Sequence, residues 1–533
     1  MSKLNTEQLQ AVNSNSDRIL CLAGGGAGKT RVLIERISRL VSDGVAPSSI
    51  LTLTFTNAAA AEMRSRYENS HVGQEIPEFK TFHAFCYSLM CKDPAIRSAL
   101  GYTTAPGIAS EEQEKVIEKQ VLLQCKIDLS KDKLINRIGL TRQEQQQVEL
   151  YDKAKNRQML MHNVITFDAL NEKVSELFAS GHPATKPYVE QYKYIAVDEY
   201  QDTDPVQTRF LNAFPEANLY FTGDTLQNIF SFRGTSNELI KVLANTPDWE
   251  VIKLSTNYRS TNQICDYANE FSKKYADISY RVVMKGTRDG AKVTTKLVNG
   301  PAKYSAVDSK DISDVIKELE GLSGTSAILC RTNREVSAIV SYLKDKGIEY
   351  TTNREDRFQK LIEGAISDSY AKDYLAAYLP SNKYGEYIKL ATQTKSADLN
   401  WFLGLYGDIP QVAADAKKIA ELRRIAEKFC SMEDKVAAAA KVLGVVKIPV
   451  PDKLCTGLEF LKHLKSTVSA STSSELYVGT IHSVKGLEYD NVFVMNVGSY
   501  NFKLNTEDEK NLFYVAITRA KNKLFVYELF ADY

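Results

Sequence analysis

The segment "RILCLAGGGAGKT", residues 18–30, sets three adjacent glycines and an alanine in front of Gly28-Lys29-Thr30. Residues without bulky side chains let backbone N–H groups converge on phosphate oxygens, and a helix starting there adds the positive end of its dipole. In such a loop Lys29 reaches the β- and γ-phosphates, and the Thr30 hydroxyl is a ligand for Mg²⁺. The strict pattern wants glycine five residues before Gly28, where this chain has Ala23. The context is the required one, however. "RILCLA" reads as a strand, and "KTRVLIERISRLVSDG" as a helix with Val32, Leu33, Ile37 and Leu40 at helical spacing, ended by Gly44. Hydrolysis of a nucleoside triphosphate also needs acidic partners on a second strand. "YKYIAVDEYQD" supplies Asp198, which can hold Mg²⁺ through water, and Glu199, which can orient or deprotonate the attacking water. An Asp-Glu pair is often only a solvated surface pair, but here an apolar run leads straight into it. Loop and carboxylates together predict an ATPase.

These groups must be carried by sheets. Short apolar runs recur at 18–23, 50–55, 194–199, 218–224 and 250–255, and again at 326–331, 476–481, 491–496 and 523–528. They are continuous more than alternating, as strands covered by helices on both faces should be. With helical patterns between them, they predict an α/β protein with parallel sheets. The early and late clusters predict two such sheets, each interrupted by a charged helical segment without strand signals. In 91–164, Ser110 is placed to cap a helix that buries Val116, Ile117, Val121 and Leu122. In 371–470, "AKDYLAAYL", "AADAKKIAELRRIAEKF" and "MEDKVAAAAKVL" are helix formers, "VVKIPVPDKL" interrupts them, and "STVSASTSSE" (466–475) reads as a flexible return to the second sheet. The expected organisation is a first α/β domain from 1–90 and 165–255 with an insertion at 91–164. A second follows from 256–370 and 471–533, with an insertion at 371–470.

A chain of 533 residues exceeds one core, since a domain usually takes about 100–200. The net charge of +1 excludes a polycation, so any nucleic-acid site must be a local basic groove. The eight cysteines include no C-x-x-C pair and mostly sit in apolar runs, which predicts free, buried thiols in a reducing cytosol. No stretch approaches the ~18 apolar residues of a membrane helix, and the start carries no signal region. The expectation is a soluble cytoplasmic protein without a membrane partner.

At "AVDEYQDTDPVQ" and "FTGDTLQNIFSFRG" the chain resembles the superfamily 1 DNA helicases of the UvrD/Rep/PcrA type. The likeness continues in that family's order. "LNTEQLQAV" resembles the Q-motif, and "TLTFTNAAAAEM" (52–63), "TFHAFCYSLM" (81–90), "TNYRST" (256–261), "AILCRTN" (327–333), "TIHSVKGLEYDNVFV" (480–494) and "LFYVAITRAKNKL" (512–524) resemble the other motifs. The resemblance implies two RecA-like motor domains of the P-loop NTPase class, 1A and 2A, with a 1B-like insertion and a reduced 2B-like insertion. It implies an ATP site in which Gln8 reads adenine, Tyr258 stacks on it and Glu488 accepts from the ribose. The loop Ala23, Gly24, Gly25, Gly26, Ala27, Gly28, Lys29, Thr30 and Arg31 holds the phosphates, with Mg²⁺ on Thr30 and Asp198. Gln227 senses the γ-phosphate, and Arg259 and Arg519 serve as arginine fingers beside Lys29 and Glu199. For DNA it implies base stacking on Phe55, Phe230 and Phe232, with core aromatics as the competing reading, and polar contacts from Asn57, His83, Arg233 and His482.

The activity implied is an ATP-dependent helicase or translocase that moves 3′→5′ on single-stranded DNA and unwinds duplex. Its partners would be single strands and single-strand/duplex junctions. Some residues depart from the family pattern. "FTNAAA" puts Ala58 in place of lysine, "QNIFSF" replaces "QSIYSW/F", and "TTNREDRFQKLIEG" barely keeps the "GGxxFFER" element. The relatives' loop reads Gly-Ala-Gly-Ser where this chain has Gly24-Gly25-Gly26-Ala27, which raises the question of a looser loop. The second insertion is short for a regulatory 2B domain, and the chain runs only a few residues past its last strand. These features motivate a second reading: an ATPase or DNA-sensing subunit of a nuclease-containing repair or anti-phage defence complex, with a nuclease or repair protein as partner. A third, a non-hydrolysing nucleotide-sensing scaffold, is opposed by the presence of Lys29, Asp198, Glu199, Gln227, Arg259 and Arg519 together.

Overall fold

The computed structural model describes residues 4–109, 111–130, 133–134, 137–229, 235, 237–298, 307–352, 357–367, 371, 375, 379, 383, 386, 390, 399–428, 431–443, 450–451, 456–470 and 475–529, with side chains for all of these except 111–112, 357–360, 411 and 465–470. The chain divides into two compact units. One holds Met1–Leu100, Leu170–Asn353 and Ser473–Tyr533; the other holds Gly101–Ala169 and Arg354–Thr472. Both large sheets fall in the first unit.

In chain order the strands are β1 (Arg18–Ala23), β2 (Ile50–Thr54), β3 (Glu78–Thr81), β4 (Gly107–Ile108), β5 (Val164–Ile165), β6 (Tyr194–Val197), β7 (Asn218–Gly223) and β8 (Glu250–Leu254). They continue with β9 (Thr256–Asn257), β10 (Lys285–Gly286), β11 (Thr294–Leu297), β12 (Ser326–Cys330), β13 (Leu476–Thr480), β14 (Tyr489–Val497) and β15 (Ala520–Glu528). The first sheet runs β3-β2-β6-β7-β1-β8 and the second β11-β15-β14-β12-β13, every pairing parallel. This is the doubly covered α/β architecture that the continuous apolar runs predict.

Packing follows from the same runs. All five residues of β2 and of β12 are buried, as are the last five of β1. Helix α2 (Lys29–Ser42) lays Val32, Leu33, Ile37 and Leu40 on the first sheet, in a core shared with Ile19, Cys21 and Ile252. β1 pairs with β7 and β8, while β6 pairs with β2 and β7. The C-terminal ends of β1 and β6, one strand apart, therefore deliver the glycine loop and the Asp198-Glu199 pair to the same edge, where parallel sheets present their ligand crevice. From Leu254 the chain passes through Ser255 into β9, which pairs with β10. Helix α1 (Thr6–Asn13) is tied to this crossing, since Glu7 accepts from the Ser255 N–H at 2.8 Å and from its hydroxyl at 2.5 Å.

Several expectations need correction. The segment 91–164 is not free of strands, because Gly107–Ile108 pairs with Val164–Ile165. β3 and β11 carried no continuous apolar run; both lie at sheet edges, where β3 buries alternate residues and β11 buries none fully. The helix Glu111–Gln124 buries Ile117 and Val121, while Ser110, its expected cap, lies outside the described residues. The "flexible return" is helical as far as Ala470, in the helix Gly457–Ala470, whose Phe460, Leu461 and Leu464 join the core of the second unit. Cys91 is exposed and Cys125 half-buried, whereas Cys21, Cys86, Cys265 and Cys330 are the buried free thiols expected; Cys430 and Cys455 lie outside the described residues. Among the described residues no helix is long and apolar enough to cross a membrane.

Candidate functional site

The glycine loop is shaped by its neighbours. Gly26 and Gly28 hold φ of +75° and +83°, the left-handed region where glycine carries no Cβ penalty. A Cβ on Gly24 would come within 2.8 Å of Met284 Cγ, one on Gly25 within 3.3 Å of Thr518 Cβ, and one on Gly26 within 2.6 Å of Arg259 Cβ. The segments next to β9, β10 and β15 lie against the loop, so a Cβ would clash at Gly24 and Gly26 and sit tightly at Gly25. Ala27 is buried and its carbonyl accepts from Gln8 Nε2 at 3.1 Å. Gln8 is itself buried, and its Oε1 accepts from the Asn5 N–H in a capping box. Asn5 Nδ2 donates to the Tyr258 hydroxyl at 2.9 Å, which brings the half-exposed Tyr258 ring to the Gln8 side of the loop. Arg31 is half-buried on the first turn of α2.

Lys29 Nζ donates to Ala23 O at 3.3 Å and stands 4.0 Å from Glu199 Oε1. Thr30 Oγ1 donates to Asp198 Oδ2 at 3.3 Å. Burial and the neighbouring Glu199 charge push the Asp198 carboxyl up from its ordinary pKa. For Glu199 burial works the same way, but Lys29 and Lys485 outweigh it and hold the carboxyl down. Glu199 has φ +53° and ψ +45°, a left-handed conformation that costs a non-glycine residue of order 1 kcal/mol or more and is concentrated at functional sites.

From Glu199 a hydrogen-bond chain leads towards the second sheet. Gln201 Nε2 donates to Glu199 Oε2 at 2.5 Å, and Gln201 Oε1 accepts from the Asp224 N–H at 3.0 Å. Gln227 Nε2 donates to Asp224 Oδ2 at 2.7 Å, and its Oε1 accepts from Arg519 Nη2 at 2.9 Å. Arg519 is only 2% exposed and also donates to Val515 O at 3.0 Å and Leu487 O at 3.3 Å. Burial and the neighbouring Arg259 push its pKa down to about 9, which leaves it charged at neutral pH. Arg259 pairs through Nε with Glu488 Oε2 at 2.6 Å, and Lys521 holds the other oxygen of Glu488 at 2.9 Å. Arg259 and Glu488, expected as a finger and a ribose acceptor, are thus each other's partners and must part to act separately.

The residues expected to contact DNA fall in four places. Phe55, at the end of β2, and His83, in helix α4 (Phe82–Lys92), are half-buried and line one cleft with Asp198, Glu199 and Asp202. Asn57 opens helix α3 (Asn57–Ser70), and its Oδ1 accepts from Thr81 Oγ1 at 3.4 Å. His482 lies in the turn Ile481–Val484, where burial and the charges of Arg331 and Lys485 hold its imidazole neutral, with a pKa down at about 4. Phe230, Phe232 and Arg233 lie outside the described residues.

Sequence reasoning missed five groups at the site: Gln201, Asp202, Asp224, Asn257 and Lys485. Lys485 Nζ donates to both Asp202 oxygens and to Gln227 O, each at 2.6 Å, joining the loop after β13 to the turn after β6. Each of the five stands within three residues of one that was singled out, and that adjacency was the available signal. The glycine geometry yields a prediction. Gly26→Ala should destabilise the protein by about 1–3 kcal/mol and raise KM for ATP, through left-handed strain plus the clash with Arg259. Gly24→Ala should be milder, because it adds no left-handed strain and its close contacts are to the side chain of Met284, which can turn aside, and not to backbone. Melting curves and steady-state kinetics of the two variants check the ranking.

Comparison with known proteins covers both halves of the chain. The UvrD/REP helicase N-terminal domain matches residues 4–248, and the UvrD-like helicase C-terminal domain matches 252–363 and 355–529. Similar proteins include YjcD of Bacillus subtilis, 26% identical over 98% of this chain and 78% of its own length. The ATP-dependent DNA helicase PcrA of Staphylococcus aureus is 25% identical over 99% of this chain and 83% of its own, and that of Staphylococcus epidermidis is 26% identical over the same shares. The boundary between the two matched domains falls at β8, the last strand of the first sheet in chain order, just before the chain leaves it at Ser255, and the chain belongs to the UvrD/REP helicase family.

Proposed function

We propose that this chain, an ATP-dependent DNA helicase of the UvrD/PcrA type, hydrolyses ATP between its two parallel sheets in order to move 3′→5′ along single-stranded DNA and unwind duplex. The observation that carries the site assignment is the hydrogen-bond chain from Glu199 through Gln201, Asp224 and Gln227 to Arg519. It ties the first sheet's acid to a buried cation of the second, so the two sheets share one reaction centre. The polarity rests on the likeness to the family. In this reading 1–90 with 165–255 and 256–370 with 471–533 are the two motor domains, and 91–164 and 371–470 their insertions.

Lys29 and the loop amides hold the β- and γ-phosphates, Gln8 and Tyr258 flank the base, and Glu488 takes the ribose once it is free of Arg259. Glu199 orients or deprotonates the attacking water. Arg259 and Arg519 stabilise charge that spreads over the transferring phosphoryl group. The residues present fit Mg²⁺: Thr30 Oγ1 and Asp198 Oδ2 are hard oxygen donors in mutual contact, and Asp198 is a buried carboxyl that a cation would relieve. Among the described residues no group of three or more His, Cys, Asp or Glu is arranged to hold a metal. Thr30 and Asp198 would hold the ion, which would supply neutralisation of the phosphate charge. Cleft closure on ATP and relaxation after hydrolysis supply the movement.

The test is ATPase activity with and without a single-stranded oligo(dT). Turnover should rise on adding DNA, and no rise would remove the translocase reading. Phe55 lines the same cleft as Glu199, so a base stacked on it would couple DNA to chemistry. Phe55→Ala should weaken single-strand binding by roughly tenfold, within the ~1–3 kcal/mol per stacked base, and lower stimulated ATPase more than basal. Unchanged stimulation would return Phe55 to the core. Phe232→Ala should behave alike if Phe232 stacks a base.

A further inference from the structure

Asn257 lies in β9, where the chain leaves the first sheet, and is 1% exposed. Its side-chain amide is used at both ends. Nδ2 donates to the phosphate-loop carbonyl Gly25 O at 2.6 Å, with Met284 Sδ at 3.4 Å. Oδ1 accepts from the backbone N–H groups of Arg259 and Ser260, both at 2.8 Å. The neighbouring Tyr258 N–H donates to Gly26 O at 2.9 Å. One buried side chain thus joins the phosphate loop to the backbone that carries Arg259.

Within a planar trans peptide the carbonyl of one residue and the N–H of the next point in opposite directions. Holding Gly25 O on Asn257 therefore fixes the Gly26 N–H facing away from it, and a rotated peptide would spoil the loop's array of donors. The approach is close enough that a Cβ on Gly26 would lie 2.7 Å from Asn257 Oδ1. We propose that Asn257 is a positioning residue for ATP hydrolysis, its amide holding the phosphate loop and Arg259 in register with each other. The proposal rests on the ATPase reading above. It differs from a plain turn-capping role, for which the carbonyl end alone would be enough: aspartate or serine also accepts from backbone N–H groups two and three residues on. A side chain with its donor and its acceptor on two separate atoms, as in the amide, serves both sides.

Asn257→Ser keeps a turn acceptor but has one polar atom on a shorter stem, which cannot hold the turn and also reach Gly25 O, so the two roles separate. Binding of mant-ADP with Mg²⁺, kcat with ATP and oligo(dT), and thermal melting would be measured in the full chain. The comparison set is wild type, Asn257→Ser, Arg259→Ala and the double variant. Asn257→Ser should weaken mant-ADP binding by roughly fivefold, the worth of one buried hydrogen bond, and lower kcat by about tenfold or more. Arg259→Ala should lower kcat while leaving mant-ADP affinity near wild type. In the double variant the kcat losses should fail to multiply, because Asn257 acts on turnover through Arg259. Wild-type mant-ADP affinity in Asn257→Ser, or kcat losses that multiply, overturns the proposal. If the serine variant melts early, the kcat cycle is read on Asn257→Asp, which keeps the acceptor and the volume, with the same two outcomes. Failure of the ATPase reading shows separately, as wild-type protein that hydrolyses no ATP.

Discussion

Glu199→Gln should bind nucleotide nearly as well as wild type and lose about 10²–10⁴-fold in kcat for ATP hydrolysis, the range of a removed general base. The substitution is close to isosteric, and an amide oxygen can still accept from Gln201 Nε2, so the left-handed turn at residue 199 should survive. What the variant loses is the charge. In the structure that charge is favoured because Lys29, Lys485 and Arg519 surround it, against the cost of burial. When Lys29 serves the phosphates its hold on Glu199 weakens, and the carboxylate becomes a better acceptor for the proton of the attacking water. Single-turnover hydrolysis and mant-ADP binding on the same preparation separate chemistry from affinity. Equal turnover in the variant would remove Glu199 from the reaction.

Arg519→Lys should cost still more turnover, about 10³–10⁵-fold, if Arg519 is an arginine finger. Lysine keeps the charge but not the planar fork, and the fork here reaches three directions at once: Gln227 Oε1, Val515 O and Leu487 O. Arg519→Ala is the less informative change. It would take the guanidinium donor from Gln227 Oε1 and Leu487 O, while Val515 O keeps the Thr518 hydroxyl at 3.1 Å, at about 1–3 kcal/mol for each buried group left unpaired, so stability and chemistry would fall together. The lysine variant should melt closer to wild type while its kcat collapses. A lysine variant with near-normal kcat would show that Arg519 is structural and leave Arg259 as the single finger.

The strands of both sheets were legible because their covered faces are written as continuous apolar runs: Ile50–Thr54 and Ser326–Cys330 are buried from end to end. The edge strands left no comparable trace, since Glu78–Thr81 buries only alternate residues and Thr294–Leu297 buries none fully. The stretch 466–475 misled through its serines and threonines; the helix holding its first half is specified further back, by Phe460, Leu461 and Leu464 at helical spacing. At the site, sequence order located the groups but not their partners. Nothing in the spacing of "TIHSVKGLE" and "DEYQD" says that Lys485 meets Asp202, because that contact depends on how two sheets face each other. The run Gly24-Gly25-Gly26 is the clearest case. Read alone it looks like slack, whereas Met284, Thr518, Asn257 and Arg259 crowd the loop so closely that the glycines are what closeness requires.

ATP-driven movement 3′→5′ on single-stranded DNA is read most directly from the unwinding of two duplexes that differ only in carrying a 3′ or a 5′ single-stranded tail. With ATP and Mg²⁺, the wild-type chain should separate the 3′-tailed duplex and leave the 5′-tailed one paired, and Lys29→Ala should separate neither. Separation of the 5′-tailed duplex in preference, or strand separation that persists in Lys29→Ala, would contradict it.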